Sequence, residues 1–196
     1  MSDDGRIRCP WVTTATARSE SDAQLYRAYH DEEWGRPVRD GAGLFERLSL
    51  EAFQSGLSWL VILRKRENFR RAFDGFDAAR VARYRDDDVQ RLLTDPGIVR
   101  NRAKVQATIA NARVIDQIGL DGFAELLWSF APPPRPRPVD VADVAATSAE
   151  STEMARELKH RGFRFVGPTT AYALMQAVGM VDDHVRDCWV DDAGSA

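Results

Sequence analysis

The sequence predicts an all-α protein, and three observations carry that expectation. Apolar residues recur at three- and four-residue spacing along much of the chain, the period that lines one face of a helix. No run of alternating apolar and polar residues is long enough to build a sheet, and no solenoid-type repeat is visible. With 196 residues, 44% hydrophobic and 29% charged, the chain can bury a self-sufficient core in one compact domain.

Ser21 and Asp22 can cap a first helix carrying Leu25, Tyr26 and Tyr29. Gly43-Leu44 opens a second, with Leu44, Phe45, Leu48, Leu50 and Phe53 as its buried stripe, ending near Ser55-Gly56. A third runs from about Trp59 through Phe73, followed by shorter helices from Asp77 to Tyr84 and from Asp86 to Leu93. Beyond the Asp95-Pro96-Gly97 turn, a long helix from about Arg100 to Asp116 places Val105, Ile109, Ala112 and Ile115 on one face. The proline-rich segment Ala131 to Pro138 cannot be helical, because proline removes amide donors and restricts the residue before it, so a stiff connector is expected. Ser148 or Ser151 can start a helix that ends at Gly162, and Pro168 suits the first position of another that runs to about Gly179. Phe163-Arg164-Phe165-Val166-Gly167 would join these two helices into a hairpin.

Twenty-seven Lys and Arg against 30 Asp and Glu give a net charge of -3, so any nucleic-acid face must be local. The candidates are Arg64-Lys65-Arg66 with Arg70-Arg71, Arg100-Asn101-Arg102 with Lys104, and Lys159-His160-Arg161 with Arg164, although such a run taken alone is more often a solvated helix face. No apolar stretch approaches the roughly 20 residues of a membrane span, and the start has no apolar export segment. A cytoplasmic protein is therefore expected, with Cys9 and Cys188 kept as thiols or used for metal rather than paired.

The most informative polar set is Cys9, His30, His184 and Cys188, which uses both cysteines and two of the three histidines. His184 and Cys188 are one helical turn apart, and a Cys2His2 shell leaves no open position on a tetrahedral zinc, the structural kind of site. Spacing alone leaves open the alternative of two buried thiols and two unrelated histidines. The Val166-Gly167-Pro168 turn has two readings as well: an ordinary helix connection, or a glycine turn whose amides hold a DNA phosphate.

Read together, several blocks carry a resemblance: Arg8-Cys9-Pro10-Trp11, Tyr29-His30-Asp31-Glu32-Glu33-Trp34-Gly35, and Leu50-Glu51-Ala52-Phe53-Gln54-Ser55-Gly56-Leu57-Ser58-Trp59. Lys65-Arg66-Glu67-Asn68-Phe69, Leu127-Trp128-Ser129-Phe130, Arg161 to Gly167 and Asp183-His184 continue it, so that it covers the chain in order from Cys9 to Cys188. These blocks resemble those of the 3-methyladenine DNA glycosylase I family, within the helix-hairpin-helix DNA glycosylases. The resemblance implies a single all-α glycosylase domain over residues 1–196, with a zinc lobe from about 1–35 and 180–190 and the helix-hairpin-helix at about 150–180. It implies one structural zinc on Cys9, His30, His184 and Cys188, and a pocket in which Trp11, Tyr29, Trp34 and Trp59 hold the damaged base while Glu51 reads it. Glu51 and Tyr29 are then the catalytic candidates, and Val166 and Gly167 the phosphate contacts. Leu57, a small apolar side chain on a turn, is the candidate wedge for the vacated stack.

The implied activity is monofunctional release of 3-methyladenine from alkylated double-stranded DNA, leaving an abasic site, by a monomer that needs no membrane. A zinc-stabilised damage-binding module without catalysis is the alternative. Two departures stand out: an extra polar stretch from Thr13 to Ser21, and Asp182 where the family usually has asparagine. An aspartate there could assist cleavage of the sugar bond, or could serve as a cap or a hydrogen bond inside the zinc lobe.

Overall fold

The computed structural model describes residues 4–13 and 19–190, and every regular element among them is helical. The five residues at the centre of the extra polar stretch, 14–18, lie outside the described residues. A one-turn helix α1 (Pro10–Thr13) precedes α2 (Glu20–Glu32). Ser19, not Ser21 or Asp22, caps α2, its hydroxyl accepting from the Asp22 amide at 3.2 Å. The start moves because the buried Asp22 carboxylate is held by Arg64 and is not free to cap.

Helix α3 (Gly41–Gln54) begins two residues before the expected Gly43, since Asp40 caps it through the Gly43 amide at 2.7 Å. Gly41 is needed for packing: a Cβ there would sit 2.3 Å from the Leu120 carbonyl oxygen. Helix α4 (Trp59–Ala72) lies where expected and is followed by a 3-10 turn at Asp74–Phe76, then α5 (Ala78–Ala82) and α6 (Asp86–Thr94). Asn101 caps α7 (Arg102–Ile118), which starts two residues later than the expected Arg100. Gly119, at φ 79°, ends α7 and at once opens α8 (Leu120–Trp128), a helix the sequence reading left unassigned. Ser148 and Ser151 both act at the head of α9 (Ala149–His160), each side chain bonding the other's amide, and Pro168 opens α10 (Pro168–Ala177).

The main core gathers the inner faces of α3 to α10 around Phe45, Phe53, Phe69, Phe73, Phe76 and Phe123. A second, smaller cluster joins the two ends of the chain, with Cys9 and Val12 against Val185, Cys188 and Val190. Between the two lies a third made of Tyr26, Tyr29, Leu60 and Leu63, so α2 and α4 connect the core to the chain ends. The proline-rich connector is pinned rather than loose. Arg137 Nε donates to Asp182 at 2.7 Å, Arg135 to Asp183 at 2.8 Å, and the Arg186 amide to the Pro138 carbonyl at 2.8 Å.

Members of two of the candidate basic runs are engaged inside the fold. Arg66 makes a two-point contact with Glu33 at 2.6 and 2.8 Å, and Arg70 pairs with Glu46 at 2.7 Å. Lys104 is buried and donates to the Phe53 and Ser55 carbonyls at 2.9 and 2.5 Å, which closes the C-terminus of α3 and leaves no charge for a partner. Arg100, Arg102, Lys159 and Arg164 are exposed.

Candidate active site

The five residues expected to form a base pocket line one cavity of about 240 Å³. Tyr29 comes from the last turn of α2 and Trp34 from the loop after it, Glu51 from the last turn of α3, Trp59 from the first position of α4, and Trp11 from α1. The rings pack at angles rather than in a pile: Tyr29 and Trp59 are 5.2 Å apart at 48°, Trp11 and Trp34 5.1 Å apart at 78°. A cavity of this size suits a single heterocycle better than the larger ligands of roughly 300–1,000 Å³ pockets.

Glu51 is 6% exposed, and among the described residues no hydrogen bond reaches its carboxyl group. Burial pushes its pKa up to about 8, with the Arg47 guanidinium pulling weakly the other way. Burial, and then the neighbouring Glu51, also hold the Tyr29 phenol well above its ordinary range, so its hydroxyl remains a donor. The Trp59 indole Nε1 is buried with no partner among the described residues. A cavity lined by an unengaged carboxyl suits a ligand that supplies its hydrogen-bond partner.

Directly behind Trp11 and Trp34 lies a buried Cys2His2 cluster. The ligand atoms of Cys9, His30, His184 and Cys188 fall within 4.8 Å of one another. Cys9 Sγ is 3.6 Å from His184 Nδ1, and Cys188 Sγ is 3.5 Å from both His184 Nδ1 and His30 Nε2. Tetrahedral zinc, with bonds of about 2.3 Å to sulfur and about 2.0–2.1 Å to nitrogen, requires a sulfur–nitrogen edge of about 3.5 Å. The remaining ring nitrogens are oriented as metal-bound imidazoles usually are: His30 Nδ1 against Asp31 at 2.7 Å, His184 Nε2 against the Trp34 carbonyl at 3.2 Å. Hydrogen bonds from Cys9 and then from the two histidines hold the Cys188 thiol far below its ordinary range, so a thiolate is available. The cluster can hold a metal ion.

The same indoles serve both sites. Trp11 packs edge-on against His30 at 5.3 Å and Trp34 against His184 at 4.6 Å, while their other surfaces line the cavity.

The sequence matches the profile of the methyladenine glycosylase family over residues 19–191, most of the chain. The chain belongs to this family. It is 43% identical over 185 residues to the DNA-3-methyladenine glycosylase 1 of Escherichia coli, covering 92% of this chain and 95% of that one. Among solved structures, a 3-methyladenine DNA glycosylase I superposes with a TM-score of 0.85 at 42% identity, covering 93% of this chain and 98% of the other. A single-residue variant of a 3-methyladenine DNA glycosylase I, solved in complex with 3-methyladenine, superposes at 0.81 with 33% identity, covering 89% and 94%. The fold of this methyladenine glycosylase family member is therefore that of its solved relatives.

Asp182 does not line the cavity. It accepts from Arg137 and, at 3.1 Å, from the His184 amide, which is the hydrogen-bonding alternative weighed from sequence. Its neighbour Asp183 does line it, together with Gln176, Gln54, Val141 and Val144, none of which sequence reasoning had singled out for the pocket. The adjacency of Asp183 to His184 was the only available sign. Leu57 sits half-exposed on the turn after Gly56, and its carbonyl is tied to the cavity-lining Gln54 at 3.2 Å. In the α9–α10 turn the positive-φ residues are Gly162 and Phe165, not Gly167, whose φ is -86°. The Asn111 side chain fixes this turn by bonding both backbone groups of Arg164, at 3.1 and 2.7 Å.

Proposed function

We propose that the protein is a monofunctional DNA-repair glycosylase that extrudes 3-methyladenine from alkylated duplex DNA and hydrolyses its N-glycosidic bond, leaving an abasic site. The observation that carries this reading is the unengaged, buried Glu51 carboxyl in a cavity walled by Tyr29, Trp11, Trp34 and Trp59. A 3-methylated adenine nucleotide is cationic, so aromatic faces and a carboxylate favour it over unmodified adenine. The same charge makes the base a good leaving group, and extrusion into a fitted site supplies most of the catalysis. Glu51 reads the base, and Tyr29 donates from the cavity wall beside it. None of the described residues that line the cavity is a lysine, which fits hydrolysis rather than Schiff-base chemistry. Incubation with methylated duplex DNA, followed by identification of the free bases, tests the activity; retained 3-methyladenine in the DNA, with the protein bound, would favour a damage-binding module instead.

The Cys2His2 cluster holds one structural zinc in this reading, supported by its sulfur–nitrogen distances and its closed donor set. Bound there, the metal supplies no step of the reaction; Cys9 and His30 are joined through it to His184 and Cys188, making one lobe of the two chain ends within a single glycosylase domain.

For DNA, the helix-hairpin-helix reading gives α9 and α10 the duplex backbone, with the amides at Val166 and Gly167 and the open N-terminus of α10 turned to a phosphate. Leu57 is the wedge that fills the vacated stack. Gly167 offers a clean test, because a Cβ there would meet nothing within 4 Å and its φ is open to any residue. Gly167→Val is therefore expected to fold normally and to weaken DNA binding by about tenfold, the scale of one charge-assisted contact to a phosphate. Unchanged affinity in a well-folded variant would remove the hairpin from the DNA interface.

A further inference from the structure

The cavity has a second polar wall, opposite in character to the lone Glu51. Helix α10 carries Tyr172 and Gln176 one turn apart, and the chain beyond it returns Asp183 beneath them. Asp183 is 4% exposed and both of its carboxylate oxygens accept hydrogen bonds. One oxygen accepts from Arg135 at 2.8 Å, the other from the Tyr172 hydroxyl at 2.7 Å and from the Gln176 amide nitrogen at 2.8 Å. Three donors converge on these two oxygens, so the carboxylate's visible work is to hold its neighbours in place.

Its effect is on Gln176. A carboxylate can face only the NH2 end of the amide, so the Gln176 rotamer is settled by chemistry, and its carbonyl oxygen is left without a hydrogen bond among the described residues on a side chain that lines the cavity. We propose that Gln176 is a specificity-determining residue, presenting a fixed acceptor to the exocyclic amino group of the base, and that Asp183 is its positioning residue, anchored through Tyr172 and Arg135. This inference rests on the base-pocket reading above and adds a selection rule to it. An amino-substituted purine satisfies the Gln176 oxygen. A 6-oxo purine brings an oxygen to an oxygen and leaves both unpaired, the kind of mismatch by which a hydrogen-bonding site rejects an analogue.

The test measures binding of two free bases, 3-methyladenine and 3-methylhypoxanthine, to the full-length, metal-loaded protein and its variants. The parent is expected to prefer 3-methyladenine, and Gln176→Leu to reduce that preference by about tenfold, mainly by weakening 3-methyladenine. Gln176→Met, which keeps the length of the side chain, serves if the leucine variant does not fold. Asp183→Asn is expected to reduce the same ratio while metal content stays at the parent level, a change that loss of structure alone would not confine to one ligand. An unchanged ratio in a folded Gln176 variant overturns the proposal, and an unchanged ratio in Asp183→Asn overturns the positioning role. Failure of the parent to bind either base would instead overturn the pocket reading itself.

Discussion

Glu51→Gln is expected to fold, to bind undamaged DNA about as well as the parent, and to lose most of its release of 3-methyladenine. The amide keeps the shape of the side chain and removes its charge. With a pKa of about 8, Glu51 is largely protonated in the empty site at neutral pH, so a cationic base must first draw the proton off. Ionising the group at pH 7 costs about 1.4 kcal/mol for each unit by which its pKa exceeds the pH. A positive charge at about 4 Å returns about 4 kcal/mol at an effective dielectric constant of about 20, so attraction wins. The surplus, on the order of 1–3 kcal/mol, is what glutamine cannot supply. Single-turnover release from methylated duplex measures it; release at the parent rate would take Glu51 out of base recognition.

The same substitution should stabilise the empty protein at alkaline pH. The folded-state pKa of Glu51 is raised from 4.5 to about 8 by burial. Between those values the native state binds more protons than the unfolded one, so the parent loses stability as pH rises through about 8, whereas the glutamine variant has no such group. The two should unfold alike near pH 4 and diverge by on the order of a few kcal/mol at pH 9, the variant being the more stable. Denaturant midpoints across that range read the difference, and parallel curves would mean that Glu51 is not desolvated. Loss of activity with gain in stability marks a residue kept for its ligand.

What the sequence disclosed follows from how rare its informative residues are. Two cysteines and three histidines leave few ways to assemble a four-ligand set, and tryptophans near them read as walls; both cysteines, His30 and His184 meet in space, with Trp11, Trp34 and Trp59 lining the cavity beside them. Asp183 and Gln176 escaped notice because acids and amides are common, and their contact depends on the chain turning back after α10. Basic runs misled for a related reason. Arg64 is held by Asp22 and Arg66 by Glu33, partners 42 and 33 residues away that local pattern cannot supply. Helix α8 was missed because a single residue, Gly119, both ends one helix and starts the next, so the usual polar interval between helices is absent. Cap positions slipped by two residues at α2 and α3 where several adjacent residues can cap, and the choice falls to whichever is not engaged elsewhere, as Asp22 is by Arg64.

The second large effect is expected from the metal. The cluster that joins the chain ends has only a few buried apolar residues around it, Val12, Val185 and Val190, with indoles from Trp11, Trp34 and Trp189. So small a core cannot hold residues 7–13 and 184–190 by itself, whereas a structural zinc contributes on the order of 10 kcal/mol to small domains that depend on it. Metal analysis of the purified protein should find one zinc per chain. Cys188→Ser, or exhaustive chelation, should lower the stability by several kcal/mol, releasing the chain ends before the main core melts. Activity should fall through substrate binding more than through the chemical step, because Trp11 and Trp34 rest on the His30 and His184 rings and would lose their backing as cavity walls. KM should therefore rise further than kcat falls, and excess zinc should restore the chelated protein but not Cys188→Ser. A folded, fully active protein with no bound metal would leave the four residues as a hydrogen-bonded cluster and nothing more.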